Sequence, residues 1–175
     1  QQGLSQNSGY CIAQDKDGFL WMGTQDGLNR FDGKNFRVFY RNTINRGSLG
    51  SNLIYSLFCD TVNNRMLIGT DNGVTVYDNT KDSFYSITGL VANAEQLAHA
   101  SVKNISCFKQ GECWITTREH GLFFINTRSK TCKRYFTENK FLKIVKCVAA
   151  YRGSILAAAG NSIFQLDNVS GIFEF

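Results

Sequence analysis

Residues 14–32 read Gln14-Asp15-Lys16-Asp17-Gly18-Phe19-Leu20-Trp21-Met22-Gly23-Thr24-Gln25-Asp26-Gly27-Leu28-Asn29-Arg30-Phe31-Asp32. The same pattern returns as RMLIGTDNGVTVYD at 65–78 and as CWITTREHGLFFIN at 113–126. A worn copy, ILAAAGNSIFQLD, stands at 155–167. Gly27 to Asp32, Gly73 to Asp78, Gly121 to Asn126 and Ser162 to Asp167 are each five residues apart, and successive copies are offset by 46, 48 and 41 residues. Self-similarity at such a period marks a repeat architecture, in which each unit buries its apolar faces against its neighbours.

Each unit carries four short strand-like runs rich in aromatic and β-branched residues. In the first they are Tyr10–Gln14, Leu20–Thr24, Leu28–Asp32 and Phe36–Tyr40; in the second, Tyr55–Cys59, Arg65–Thr70, Val74–Tyr77 and Phe84–Ile87. Asp17-Gly18, Asn63-Asn64, Gln110-Gly111 and Arg152-Gly153 supply hairpin turns between first and second runs. The glycine at 27, 73 and 121 suits a second reversal that needs positive φ; Ser162 breaks the rule, but Gly160 stands two residues earlier. Four antiparallel strands every ~40–50 residues make a blade of a β-propeller. The expected fold is therefore an all-β propeller fragment of about four four-stranded blades, roughly 4–45, 50–90, 101–138 and 142–175. Trp21, Leu67, Trp114 and Leu156 share one register and are expected to fill the spaces between blades. Residues 91–100 depart from the pattern and read as a short helical insert, with apolar positions at Val91, Ala94, Leu97 and Ala98.

Composition agrees with a packed domain: of 175 residues 43% are hydrophobic and 19% charged, with 14 Phe, 7 Tyr, 16 Gly and no Pro. The net charge of +5 suits a soluble protein. Lys130, Lys133, Arg134, Lys140, Lys143 and Lys146 form the densest basic stretch, alternating with Tyr135, Phe136, Phe141 and Ile144. It reads as a solvated face, and no nucleic-acid-binding signature accompanies it. No apolar run reaches the ~18–20 residues needed to cross a bilayer.

The string from Gln14 to Phe36 resembles the first repeat of the two-component regulator propeller family. Gly3-Leu4-Ser5-Gln6-Asn7-Ser8 is similar to the usual opening of such domains, and Ser48-Leu49-Gly50-Ser51-Asn52-Leu53-Ile54 to the start of their second repeat. The likeness weakens after residue 100: Thr116-Thr117 stands where the motif has Gly-Thr, and Ala158-Ala159 replaces it in the last copy. The resemblance implies the periplasmic sensor region of a hybrid sensor histidine kinase, anchored in the inner membrane of a Gram-negative bacterium and tuned to an oligosaccharide. Residues 1–175, beginning at Gln1 without Met, would be the N-terminal part of that propeller. Its expected partners are a glycan-derived ligand, the remaining blades and downstream domains, and a second copy in a dimer.

Chemistry is not expected from the chain itself. His99 and His120 are the only histidines, and no phospho-acceptor motif or ATP-binding Gly-rich loop is present. Asp15 and Asp17 are turn residues and Asp32 ends a strand, so with Asp26 they make no glycosidase pair, and the Asp-box of sialidase propellers is not matched. No CxxC spacing occurs, so neither zinc nor another cofactor is expected. Of six cysteines, Cys11, Cys59, Cys107 and Cys147 each fall in the first strand of a different blade, with Cys113 and Cys132 later in the third. Their separation between blades favours free buried thiols. The expected recognition surface is the set of loops joining second and third strands: Gln25-Asp26, Asp71-Asn72, Arg118-Glu119-His120 and Gly160-Asn161, with Asn29 and Arg30. These groups suit sugar hydroxyls or carboxylates, although ordinary polar turns have the same composition. A propeller scaffold without a ligand, or a propeller glycan lyase or hydrolase, are the alternatives.

Overall fold

The computed structural model describes residues 3–44, 47–136 and 144–174. These form four antiparallel sheets of four strands, each in simple up-and-down order. The first comprises β1 (Gly9–Gln14), β2 (Leu20–Thr24), β3 (Leu28–Phe31) and β4 (Phe36–Phe39). The second comprises β5 (Ile54–Asp60), β6 (Arg65–Thr70), β7 (Gly73–Asp78) and β8 (Ser83–Ser86). The third has β9 (Val102–Lys109), β10 (Glu112–Thr117), β11 (Leu122–Asn126) and β12 (Thr131–Tyr135). The fourth has β13 (Val145–Tyr151), β14 (Ser154–Ala159), β15 (Ser162–Leu166) and β16 (Phe173–Glu174). First strands touch first strands, β1 with β5, β5 with β9 and β9 with β13, so they lie innermost and the sheets radiate as propeller blades.

Strand alternation gives every sheet two apolar faces, and one core fills each gap. Trp21 and Leu28 of the first sheet meet Met66, Ile68 and Tyr77 of the second. Leu67, Val74 and Val76 meet Ile115, Phe123 and Ile125 in the next gap. Trp114 and Leu122 meet Val148, Ala157 and Ala159 in the last. Trp21, Leu67 and Trp114 are buried between sheets as expected; Leu156, in the same register, is half-buried because no fifth sheet covers it among the described residues.

The turn between second and third strands has one recurring construction. Thr24, Thr70 and Thr117 donate their hydroxyls to the carbonyls of Gly27, Gly73 and Gly121 at 3.0, 2.9 and 2.8 Å. Each hydroxyl also accepts a loop N–H, from Asp26, Asn72 and His120. The glycines sit at φ 109, 83 and 80°. In the fourth sheet Ala159 cannot make this bond, and positive φ moves to Gly160, at 60°. The loops are also clasped outward: Gly27 N donates to Asn52 O and Gly73 N to Ala100 O of the segments leading into the next sheet.

Two expectations are corrected. Residues 91–100 are turns rather than a helix. Asn93 has φ 57°, and the backbone groups serve neighbours, Ala92 N to Lys130 O and Gly73 N to Ala100 O. Of the apolar positions, Val91, Ala94 and Leu97 are buried in the core between second and third sheets and Ala98 packs half-buried against it, so the insert is a plug. Among the cysteines, Cys107 and Cys113 form a disulfide across β9 and β10, with Cα atoms 4.1 Å apart. Comparing cysteines only between blades overlooks this pair, which stands directly opposite within one hairpin. Closing so short a loop stabilises by about 2 kcal/mol. Dithiothreitol is therefore expected to lower the urea midpoint of the native protein and to leave that of a Cys107→Ser/Cys113→Ser variant unchanged. Cys11, Cys59, Cys132 and Cys147 are free, but Cys147 is exposed rather than buried and the other three are half-buried. Burial pushes the Cys11 and Cys132 thiols up to about 11.

The first gap also contains a titrating tyrosine. Tyr77, 1% exposed, donates its hydroxyl to Asp82, which Arg37 pairs at 2.8 Å. Burial first, and the Asp82 bond second, push Tyr77 up to about 12. The fold favours the neutral phenol, so its contribution is intact below pH ~10, the ordinary tyrosine value, and is lost as pH rises from there towards 12. Stability is expected to fall by up to about 1.4 kcal/mol per pH unit in that window. A Tyr77→Phe variant, followed by denaturant titration at each pH, is expected to lack this fall.

Candidate functional site

The loops between second and third strands, the starts of the first strands and the segments joining successive sheets all lie at one end of the propeller. There Asp71, His99, Ser101, Arg118, Glu119 and His120 surround a recess of about 250 Å³. Ser101 Oγ donates to Asp71 Oδ1 at 2.8 Å, fixing one wall. Arg118 N donates to Ser101 O at 2.8 Å, which anchors the opposite loop while leaving its side chain exposed. Arg134 Nε donates to His120 O at 2.6 Å and holds that backbone from behind. His99 also borders a larger neighbouring recess of about 540 Å³, with Arg41, Ser48, Asn72 and Thr75 on its walls. His99 is a wall of both recesses, which together make a groove bordered by Arg118 in the smaller part and Arg41 in the larger.

A second feature lies on the innermost strands. Each begins with a register shift, and the extra residues are Tyr10, Tyr55, Lys103 and Lys146. Such bulges re-aim a side chain out of the regular alternation. Tyr10 and Tyr55 pack across sheets with ring centroids 5.7 Å apart, and Lys103 Nζ lies 3.7 Å from the Tyr55 ring centroid. The result is a row of aromatic and ammonium groups running from one sheet to the next near the axis.

Of the residues expected from sequence, Asp71, Arg118, Glu119 and His120 come together, and Asn72 lies in the adjoining recess. Asp26 is exposed but accepts from Asn52 Nδ2 at 2.8 Å, apart from this cluster. Asn161 is exposed on the fourth sheet and does not join it. Asn29 and Arg30 are corrected. Asn29 is fully buried, accepting from Ser5 N and donating to Ser5 Oγ, both at 2.9 Å, because strand alternation turns it under the opening segment. Arg30 alternates to the other face and lies over Phe19 and Trp21, 4.7 and 5.5 Å from their ring centroids. In the basic stretch, Lys130, Lys133 and Lys146 are exposed, Arg134 is a structural clamp, and Lys140 and Lys143 lie outside the described residues. Sequence reading missed His99 and Ser101, which the insert delivers, and the bulge residues, whose only signal is a one-residue excess in strand register.

A family model described as two component regulator propeller matches residues 3–26. Those residues are similar to a two-component regulator propeller repeat. This repeat covers the opening segment, β1, β2 and the first Thr–Gly turn. Histidine kinase P4 of Formosa agariphila is 58% identical over 40 residues, which cover 23% of this chain and 3% of that protein. Among solved structures, the extracellular domain of a one component system from B. thetaiotaomicron superposes with a TM-score of 0.72 at 17% identity, over 98% of this chain and 24% of that one. The extracellular domain of a hybrid two component system from the same organism gives 0.54 at 20% identity, over 99% and 30%. The chain therefore spans 24% and 30% of those two domains, and the likeness shows a shared propeller fold. No helix among the described residues is long and apolar enough to cross a membrane.

Proposed function

We propose that these sheets are part of the periplasmic sensor region of an inner-membrane histidine kinase, and that the grooved end recognises a glycan-derived oligosaccharide. The chain in this reading binds and transmits but does not catalyse. The match of residues 3–26 to the regulator propeller is the observation that carries it, and the extracellular setting of the similar structures supports it. The polar groove around His99 suits a ligand with many hydroxyls, with Arg118 placed for a carboxylate or sulfate. Tyrosine rings near the axis suit the apolar face of a sugar ring. The exposed Ile12 (65%) and Ile163 (64%) on the outward faces of the first and fourth sheets support association with further sheets or with a second copy.

A thermal-shift screen of neutral and acidic oligosaccharides tests the proposal. A true ligand is expected to raise the melting temperature saturably, and Arg118→Ala to weaken it by about tenfold, the loss of one charge-assisted hydrogen bond. A complete absence of ligand-dependent shift would favour a scaffold, and turnover of any oligosaccharide would favour the enzymatic alternative.

A further inference from the structure

The gap between the third and fourth sheets holds a cavity, and its lining differs from the packing in the gap between the first and second. Trp21 and Trp114 occupy the same register, and six residues before each stand Asp15 and Phe108. In the first gap Asp15 Oδ2 accepts from Trp21 Nε1 at 2.7 Å, Phe19 and Arg30 lie beside the indole, and Tyr77 packs 4.9 Å away. In the third gap Phe108 offers no acceptor, and the facing sheet presents the small Ala150, Gly153 and Ser154 beside the aliphatic Ile155 and Leu166. The space left is about 250 Å³, walled by Phe108, Trp114, Phe124 and Tyr135 on one side. Trp114 is 5% exposed as a residue, and its indole N–H, unlike that of Trp21, donates to no protein acceptor among the described residues and stays open to solvent.

We propose that this cavity is a binding site for a single uncharged aromatic ring carrying a hydrogen-bond acceptor, such as an aryl amide or ketone. Four aromatic walls present edges and faces to a planar ring; the Trp114 and Phe124 centroids are 4.8 Å apart and tilted by 48°. The indole N–H, free of a protein acceptor, is a donor that an acceptor on the ligand could use. Lys109 and Glu112, opposite each other in the β9–β10 register, keep their charges on the rim, so an ionised ligand would gain no partner inside. The volume lies just below the ~300–1,000 Å³ of sites for larger molecules, which limits the ligand to about one ring. The cavity opens among the β9–β10 and β13–β14 hairpins, at the end opposite the polar groove, and stands independently of the function proposed for that groove.

Benzamide titrated into ¹⁵N-labelled protein tests the site, because two tryptophans give two indole N–H resonances and Trp21, already bonded to Asp15, is the internal reference. The Trp114 resonance is expected to shift saturably, with dissociation on the order of 1 mM for so small a ligand, while Trp21 stays in place. Toluene, which lacks an acceptor, is expected to bind about tenfold more weakly. Ala150→Phe fills the mouth from an exposed position and is expected to abolish the shift; Ser154→Leu serves if that variant loses spectral dispersion. Linear drift up to about 20 mM, equal movement of both indoles, or full binding by the plugged protein would overturn the proposal.

Discussion

Trp21→Ala is expected to destabilise the protein by about 3–5 kcal/mol, the range for emptying a large buried aromatic site. Trp21 is completely buried and packs against Phe39 and Tyr77, with ring centroids 5.6 and 4.9 Å away. Its N–H is also a partner for the Asp15 carboxylate, 6% exposed, which still accepts from Asp17 N and Phe19 N at 3.0 Å. Removing the indole therefore opens a cavity between two sheets and leaves a buried oxygen short of one donor. Urea denaturation checks the value. Trp21→Phe keeps much of the apolar contact and is expected to lose less than half as much. A loss below about 1 kcal/mol for Trp21→Ala would mean that the first two sheets do not share a core.

Gly73→Ala is expected to cost roughly 3–5 kcal/mol, far beyond an ordinary surface change. Two effects add. At φ +83° an L side chain is strained by about 1–2 kcal/mol. A Cβ would also stand 2.1 Å from Ala98 O and 2.4 Å from its carbonyl carbon, in a segment packed against the core between the sheets. Gly18 separates these effects, since it has φ +88° with nothing within 4 Å of a built Cβ. Gly18→Ala is expected to show the backbone cost alone, about 1–2 kcal/mol. Equal losses at the two positions would show that the plug yields.

The blade architecture was legible because two signals coincided: strand alternation, and a turn whose chemistry needs specific residues. Leu20–Thr24 and Arg65–Thr70 are read from sequence with their observed bounds, since Thr and Gly mark where each strand must reverse. Period-two alternation also places Trp21, Leu67 and Trp114 on the faces that meet the next sheet. The same rule would have removed Asn29 and Arg30 from the recognition surface, because side chains beyond the turn point into faces rather than outward. The plug was misread because apolar spacing says which residues are buried but not how their backbone bonds are satisfied; Asn93 at φ 57° interrupts the helix. The disulfide depends on register, which becomes visible only once Cys107 is set against Cys113. His99 reached the candidate site through that irregular segment, where no periodicity operates.

The backbone clasps between neighbouring loops and lead-in segments have a mechanical consequence. Gly27 N held by Asn52 O, and Gly73 N by Ala100 O, link the sheets in series like hinged staves. A loop drawn inward at one sheet must either break its clasp or tug the following lead-in. A perturbation at Asp71 is thus delivered first to Ser101, and through Arg118 N on Ser101 O to the third sheet, along a path made of hydrogen bonds rather than of loose side-chain contacts.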